Sequence, residues 1–393
     1  MLALTLRSVR DLDIAEESTA DAFLLAVQTW PDRGVPASVE AWLVTAARRR
    51  AIDRSRAARA ARVALIRGGG GLRQVHPADV STEIGVVGDE ELRLVVLCCD
   101  PRIGEADRIA LTLRLACGVP TAAIAAAFLV GEPALAARLT RAKKRLAAAG
   151  PALDLPDDAT VDARLPVVRR VVHLAFTLGH TAGAGTGLTD DDLADRAQYL
   201  ATALRVLRPA DPEFTGLLAL IVLTRARAGG RFDGAGDQVL LAEADRSRWD
   251  REMIRRGLLL TRAALAGSRT APGPMALQAA IAAEHAIAPS LPGTNWRRVV
   301  DLYGALLSVE PSPTLALARC VAVGQLAGPA AGLRDLDEVI ALGGLDRYPY
   351  AQAARASLLD ALGRRAEARA GWAAAAARAR TEAEREFFLA RAG

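Results

Sequence analysis

The side chains of this chain that are best placed to do chemistry are basic, and they form two clusters. The first has eight arginines around a single acid, Asp53: Arg48, Arg49, Arg50, Arg54, Arg56, Arg59, Arg62 and Arg67. The second has five cations, no acid and both lysines of the chain: Arg138, Arg141, Lys143, Lys144 and Arg145. Guanidinium and ammonium groups at this density bind the phosphates of a polyanion. Solvated faces of two ordinary helices are the simpler alternative.

The second cluster lies in a predicted helix-turn-helix. The segment Thr121–Leu146 reads as a short helix, a turn at residues 129–131 and a second helix. Pro133 fits the start of that second helix, because the first helical turn tolerates proline. In this motif the second helix enters the DNA major groove. The pattern therefore predicts that Arg138 and its basic neighbours contact DNA.

The other reactive side chains do not form a catalytic or metal-binding pattern. Cys98, Cys99 and Cys117 lack the spacing of a zinc site, and adjacent cysteines point to different sides of a helix. His173 and His180 flank an apolar helix with no nucleophile or paired carboxylate at a supporting spacing. We therefore expect buried thiols and structural histidines, no metal or other cofactor, and no enzymatic activity.

The composition predicts the kind of element that positions the basic clusters. Alanine and leucine dominate the 393 residues and aromatic residues make up 4%, which favours a nearly all-α protein. No stretch of about 20 apolar residues lacks charge, and the N-terminus meets an acidic cluster too early for a signal peptide. The four cysteines make no disulfide framework. We therefore expect a cytoplasmic protein without membrane contact.

Helical periodicity predicts the elements around the first cluster. Ile14–Trp30 reads as a helix, Pro31–Pro36 as a turn, and Ser38 as the cap of a second, basic helix. The face of the basic helix that we expect to point inward consists of Ala41, Trp42, Ala46 and Ile52. Trp42 has two interpretations: it stacks on melted DNA or it anchors the basic helix in a core. We favour the core.

Glycine- and proline-rich segments divide the chain into helical parts. These are a domain over residues 1–66, a flexible linker over 67–88, a domain over 89–150 and a helical extension over 160–393. Near its end the extension repeats at an offset of 36 residues, where the segment from Leu326 aligns with the segment from Leu362. Small residues before Trp372 are typical of a tetratricopeptide hairpin. The extension is therefore predicted to be a helical-repeat-like domain.

Four polar side chains in the extension could line a groove. Gln278 and His285 are seven residues apart, so they share one helical face. Arg246 and Trp249 would complete the groove with them. Interhelical hydrogen bonding is the alternative use of these side chains, and the one that we favour.

Motifs along almost the whole chain resemble one known family. The chain is similar to extracytoplasmic-function (ECF) sigma factors of bacterial RNA polymerase, of the type with a long C-terminal helical-repeat extension. The motifs that carry the resemblance are Asp13–Glu17, Asp21-Ala-Phe23, Trp30-Pro31, Gly34-Val-Pro36, Trp42–Arg48, Ala51–Arg54, Leu97-Cys-Cys, Arg108–Arg114, the helix-turn-helix, Asp245–Asp250, the segment from Leu277 and Ser312-Pro313. Each motif is weak alone, and their order and spacing give the resemblance its specificity.

The resemblance implies a role for each part of the chain. Asp21, Phe23 and Val27 would bind the clamp of the polymerase, and the helix from Trp42 to about Arg56 would open and read the −10 promoter element. The second domain would dock on the polymerase flap and place the recognition helix at the −35 element. The DNA-binding residues would be Trp42, Arg48, Arg49, Arg50, Arg54, Arg56, Arg138, Arg141, Lys143, Lys144 and Arg145.

The expected function is promoter-specific initiation of transcription. The expected partners are RNA polymerase core enzyme, promoter DNA, and a regulatory protein or ligand on the C-terminal domain, which we expect to fold against the two sigma-type domains. Two alternatives stay open. One is a DNA-binding regulator that does not engage polymerase, and the other is a helical-repeat scaffold whose sigma domains have decayed.

Overall fold

The described part of the chain is entirely helical, which confirms the all-α prediction. The computed structural model describes residues 1–9, 11–67, 89–148, 157–180, 190–231, 239, 241–379 and 381–393, with the backbone alone over 59–67 and at residue 383. These residues form eighteen α-helices and two short 3₁₀ turns, and no strand occurs among them. Within the same ranges no single helix is long and apolar enough to cross a membrane; one bent pair, α6 with α7, has the length and composition when both helices are counted together.

The chain divides into two compact units. The first comprises Met1–Ile124 and Glu132–Val171, and the second comprises Ala125–Gly131 and Val172–Gly393. The helices up to the recognition helix are α1 (Leu2–Val9), α2 (Leu12–Arg33), α3 (Val39–Arg67), α4 (Glu90–Cys98), α5 (Glu105–Leu115), α6 (Thr121–Ala127) and α7 (Glu132–Ala148). The helices that follow are α8 (Asp158–His180), α9 (Asp191–Leu207), α10 (Pro212–Arg225), α11 (Arg251–Gly267), α12 (Pro274–Ile287), α13 (Trp296–Val309), α14 (Pro313–Ala327), α15 (Pro329–Ala341), α16 (Pro349–Ala361), α17 (Arg365–Ala376) and α18 (Glu382–Ala392).

The predicted linker and boundary lie mostly outside the described residues. Of the linker over 67–88 only Arg67 is described, as the last residue of α3. Residues 149–156, which include most of the segment between the predicted domain over 89–150 and the extension over 160–393, are likewise outside the described ranges. In the first unit, Arg7 on α1 forms an ion pair with Glu90 on α4 at 2.6 Å. The helices predicted as two domains therefore contribute to one compact unit.

The packing of α2 against α3 differs from the predicted faces. The buried stripe of α3 is Leu43, Ala47 and Ala51. Of the predicted inward face, Ala41 and Ile52 are wrong, whereas Trp42 and Ala46 pack beside this stripe. Alanines at a four-residue spacing occupy the buried face because they let the backbones of α2 and α3 approach closely. Ala41 and Ile52 are exposed, whereas Trp42 and Ala46 are half-buried. Small residues and Leu43 therefore form the buried part of this contact, and the half-buried Trp42 packs beside them.

The turn between α2 and α3 begins later than the sequence suggests. The predicted turn over 31–36 starts inside α2, which continues through Pro31 to Arg33. Gly34 then ends the helix with a φ of 80°, a conformation that glycine adopts without steric cost. Ser38 accepts a hydrogen bond from the amide of Ala41 at 3.4 Å, as its predicted capping role requires.

Within the first unit, a buried ion pair joins the segment after α4 to α8. Residues 94–98 on α4 are all buried, and Asp100 follows them with 4% exposure. Arg164, on the first half of α8, places Nη2 3.0 Å from Asp100 Oδ2 and Nη1 3.2 Å from the carbonyl oxygen of Val96. Arg102 binds the same carboxylate through two nitrogens at 2.8 Å each. The start of α8 therefore belongs to the first unit.

The second unit is built around α10, which is apolar on every side. Residues 214–219 and 221–223 of this helix are buried, which is typical of a helix at the centre of a domain. It packs against α9, α11 and α12. A methyl group added at Gly216 would lie 2.6 Å from the amide nitrogen of Ala276, so this glycine permits the close contact with α12.

The C-terminal helices form the predicted repeat. Pro313 and Pro349 begin α14 and α16, and Pro329 and Arg365 begin α15 and α17, so both helices of the pair recur at the predicted offset of 36 residues. Between α14 and α15, a methyl group at Gly332 would lie 2.6 Å from the Cα of Gly324. Glycines at this contact explain why small residues mark the hairpin in the sequence.

Candidate nucleic-acid interface

The predicted helix-turn-helix is present as α6, a short turn and α7. The two helices are bent by 107° relative to each other, within the usual range for this motif. Leu129, at the turn, has a positive φ of 54°. The amide of Val130 donates to the carbonyl of Ala125 at 3.0 Å and that of Leu129 to Ala126 at 3.2 Å, the hydrogen-bond pattern of a Schellman motif. This cap stops α6 and turns the chain towards α7.

The basic residues of α7 lie on more than one side of the helix. The buried side consists of Leu135, Ala142 and Leu146. Arg141, Lys144 and Arg145 are exposed, and so are the small residues Ala134, Ala136, Ala137 and Thr140. A spacing of three residues puts Arg141 and Lys144 on one exposed face. These side chains are free to reach phosphates, and the neighbouring alanines let the helix approach them closely.

The two flanks of α7 are held by acids of the same unit. Nε of Arg138 lies 2.7 Å from Asp107 Oδ1 on α5. Lys143 Nζ lies 2.7 Å from both Asp13 Oδ1 and Glu16 Oε2 on α2. Burial lowers the pKa of Lys143, but the hydrogen bonds to these two carboxylates outweigh it and leave the pKa raised. Arg138 and Lys143 therefore exchange an intramolecular partner for DNA if they bind it.

The first basic cluster is divided in the same way on α3. Arg49, Arg50 and Arg56 are exposed, whereas Arg48 is half-buried and its Nε has no hydrogen-bond partner. Arg54 forms ion pairs with Glu17 and, at 2.6 Å, with Asp21 Oδ2. The side chains of Arg59, Arg62 and Arg67 lie outside the described residues.

Trp42 lies in the core of the first helices. Its ring meets that of Trp30 edge to face, with centroids 5.4 Å apart, beside the buried cluster that includes Ala22 and Ala26. A side chain in this position anchors α3 on α2. The geometry therefore favours the core interpretation of Trp42 over stacking on a melted base.

The residues expected to bind polymerase include an exposed apolar stripe on α2. Phe23 is 53% exposed, Leu24 56% and Val27 72%. Phe23 and Val27 are four residues apart and share a face, so the stripe runs along one side of the helix. Asp21, beside it, pairs with Arg54 and approaches Arg50 to 3.8 Å. Adjacent exposed apolar side chains on one helix face are typical of a surface that binds another protein.

All four cysteines are buried, and none of them forms a disulfide. Burial raises the pKa of Cys99 to about 11, and the pKa of Cys98 is raised still further, chiefly by burial, so both thiols stay protonated at neutral pH. No group of three or more His, Cys, Asp or Glu side chains could hold a metal ion within the ranges that the structure describes.

The structure brings together three of the four predicted groove residues. The Arg246 guanidinium lies 4.5 Å from the centroid of the Trp249 ring, and its Nη1 donates to the carbonyl oxygens of His285 and Ala288 at 3.1 and 2.7 Å. Gln278 lies two turns earlier on α12 and makes no hydrogen bond to the described residues. Arg246 therefore makes hydrogen bonds to another helix, which is the use that we favoured, whereas Gln278 makes none to the described residues.

Sequence reasoning missed one further charged residue that acts on these side chains, Arg227. It follows the end of α10, and its charge acts on Arg246, His180, His285 and also on Tyr303. Periodicity could not reveal it, because Arg227 stands in a connecting segment of ordinary composition. We call Arg227, Arg246, Trp249 and His285 the extension cluster.

Two comparisons with known proteins find sequences that are similar to this chain. Residues 164–265 match a family described as a family of unknown function (DUF6596). The uncharacterized protein R00370 of Rhizobium meliloti (strain 1021) is 38% identical to the chain over 386 residues, which cover 97% of the chain and 90% of that protein. No solved structure matches the chain.

Proposed function

For this chain, which belongs to the same family as protein R00370 of Rhizobium meliloti, we propose the function of a sigma factor that directs bacterial RNA polymerase to specific promoters. One observation supports this proposal most strongly. The compact unit that contains α7 with its exposed cations also presents the apolar stripe of Phe23, Leu24 and Val27 on α2. DNA binding alone has no use for such a stripe, whereas a protein that also holds polymerase needs it.

In the proposed mechanism the protein binds and positions, and the polymerase makes the RNA. Arg141, Lys144 and Arg145 contact the phosphates of the −35 element, and base edges are read in the major groove. The exposed arginines of α3, Arg49, Arg50 and Arg56, hold the phosphates of the −10 strand when it is melted. Two weak DNA contacts and a protein contact on one chain combine through their effective concentration.

The test is run-off transcription with purified core polymerase on a promoter library, with full-length protein and an apolar-stripe variant. Val27→Asp places a charge in the exposed stripe, and we expect it to reduce both transcription and co-elution with core polymerase at least about tenfold. Leu342→Asp is the matched control, since Leu342 is a fully described apolar residue with 87% exposure. Equal activity of the two variants would refute the placement of the polymerase surface.

The same experiment separates the alternative functions. A DNA-binding regulator that does not engage polymerase would bind promoter fragments and fail to co-elute with core enzyme. A scaffold with decayed sigma domains would do neither. Either result, with folded protein, would overturn the sigma-factor proposal.

We further propose that the C-terminal helical domain regulates initiation. A truncation that tests this must keep the ion pair of Arg164 with Asp100, because loss of Arg164 would leave a buried carboxylate short of a partner. A chain ending after Val171 keeps this pair, and a chain ending near 150 does not. We expect the chain ending after Val171 to change promoter output while still binding core polymerase. Unchanged output on every promoter would argue against regulation.

A further inference from the structure

Among the described residues, the extension cluster concentrates positive charge without a negative partner. Arg227 makes one hydrogen bond to the described residues, from Nε to the carbonyl oxygen of Leu223 at 3.4 Å. Arg246 uses Nη1 for two carbonyl oxygens, while its buried Nη2 has no partner. Neither arginine forms an ion pair with a carboxylate of the described residues. Two guanidinium groups that lack counter-charge are costly to bury, so the site favours an anion.

Hydrogen-bond donors surround the two arginines. Trp249 is 4% exposed, and its indole Nε1 has no acceptor. Nδ1 of His285 is also buried without a partner. Indole nitrogen only donates, and a neutral imidazole donates from one nitrogen. Arg246 Nη2 and Trp249 Nε1 are therefore buried donors without an acceptor, and Nδ1 of His285 is a third donor in one of its two neutral tautomers, as an oxyanion requires.

Backbone packing holds the cluster in position. The amide of Asp250 donates to the carbonyl of Ala226 at 2.9 Å, which fixes the segment of Arg227 beside the segment of Trp249. A methyl group at Gly230 would lie 2.5 Å from Trp249 Nε1, so glycine is needed for this close contact. Arg246, in turn, caps the C-terminal end of α12 through the carbonyls of His285 and Ala288. The donors are thus preorganised before a ligand arrives.

The pKa shifts of Arg227 and His285 agree with a concentration of positive charge at the cluster. Burial, with the charges of Arg246 and Arg231, lowers the pKa of Arg227 to about 10. Burial and the charges of Arg227 and Arg246 lower the pKa of His285 to about 4. No carboxylate of the described residues is among the charges that shift these two groups. The local potential is therefore positive.

We propose that the extension cluster of Arg227, Arg246, Trp249 and His285 binds the phosphate group of a small molecule. Phosphate is favoured over carboxylate because it carries up to two negative charges and more acceptor oxygens, which match two guanidinium groups and two further donors. The site lies in the second unit and binds whether or not the chain is a sigma factor.

The first measurement is thermal unfolding of full-length protein in inorganic phosphate, compared with sodium chloride and sodium acetate at the same ionic strength. We expect a saturable rise in Tm of about 5 °C in phosphate and a smaller one in acetate. Equal shifts in chloride would overturn the proposal, and an equal shift in acetate would overturn the choice of phosphate.

Variants locate the binding. Arg227→Gln should abolish the phosphate shift and, without phosphate, leave Tm unchanged or raise it, because it removes an unpaired cation. Arg255→Gln is the matched control, since Arg255 is 71% exposed in the same unit. The double variant Arg141→Ala/Lys144→Ala should keep the phosphate shift, which excludes binding at the recognition helix. Loss of the shift in either control would contradict the location.

Equilibrium dialysis of the unmodified protein with labelled phosphate gives a readout that does not depend on the variants. We expect about one phosphate to be bound per chain, displaced by organic phosphate monoesters and not by acetate. Absence of saturable binding would refute the site even if Arg227→Gln failed to fold.

Discussion

Lys143 on the recognition helix and Asp13 near the start of α2 form an ion pair, with Nζ and Oδ1 2.7 Å apart. Glu16 binds the same ammonium group from the next turn of α2. One cation of the proposed DNA-binding surface is thereby held by acids that the sequence places more than a hundred residues away. In the proposed function, DNA has to compete with these carboxylates for Lys143.

Removing the two acids should strengthen DNA binding. For Asp13→Asn/Glu16→Gln we expect duplex affinity at low salt to rise about threefold to tenfold and the salt slope to steepen by about one, because Lys143 gains a phosphate contact. The loss of folding stability should stay below about 1 kcal/mol, since Asp13 is 61% exposed. Fluorescence anisotropy over a salt series measures both quantities.

The control for that pair removes two acids elsewhere. Glu367→Gln/Glu382→Gln changes net charge equally, in exposed pairs with Arg364 and Arg385. An equal gain in affinity from this control would show that net charge, and not the release of Lys143, is responsible.

The exposed cations of α7 should carry most of the salt dependence. Changing Arg141 and Lys144 to alanine should weaken duplex binding and flatten the salt slope by about two, because two phosphate contacts are lost. Both side chains are exposed, so the free energy of unfolding should change by less than about 0.5 kcal/mol. Arg138→Ala is the comparison, and it should flatten the slope less, since Arg138 already pairs with Asp107. Unchanged slopes in the double variant would place the DNA elsewhere.

Asp100 should make the free energy of unfolding decrease as the pH becomes acidic. The hydrogen bonds from Arg102, opposed by burial and aided by Arg164, lower the pKa of Asp100 to about 2 from an ordinary value of 3.8. Because the pKa of Asp100 is lower in the folded state, its carboxylate stabilises the fold at pH values above the ordinary pKa. This stabilisation is lost as pH falls from about 4 to 2. The loss should be about 2 kcal/mol.

The variant Asp100→Asn isolates this effect. At neutral pH we expect its free energy of unfolding to be about 3 kcal/mol lower, because Arg164 stays buried without a full partner. The difference from the unmodified chain should shrink between pH 4 and 2 in urea titrations. Glu252→Gln, in an exposed pair with Arg255, should cost less than about 0.5 kcal/mol. A difference that does not vary with pH would contradict the role of Asp100.

Leu129 should be a site where glycine is more stable than alanine. Its φ of 54° is strained for a residue with a Cβ, at a cost of roughly 1 kcal/mol. We therefore expect the Leu129→Gly chain to unfold at a higher urea concentration than the Leu129→Ala chain, by about 1 kcal/mol. At Val130, which has no positive φ, the order of glycine and alanine should reverse. The same order at both positions would show that the turn is not strained.

Much of the architecture followed from the sequence because it depends on local signals. Abundant alanine and leucine dictate helices, and the turn before Pro133 dictates a helix-turn-helix, since capping and propensity act within a few residues. The 36-residue offset between Leu326 and Leu362 likewise predicted the repeat of α14 and α15. These signals do not require knowledge of what the helices pack against.

The tertiary structure alone decided which side chains are free to act. On α3, alanines occur on several faces, so periodicity could not show that Ala47 and Ala51 point inward and Ile52 outward. Whether Lys143 is solvated or paired depends on the acids of α2. Whether Arg227 has a counter-charge depends on α11, on α12 and on the segment that precedes α11. Burial and ion pairing are set by contacts between distant parts of the chain, and a linear pattern of charges does not contain those contacts.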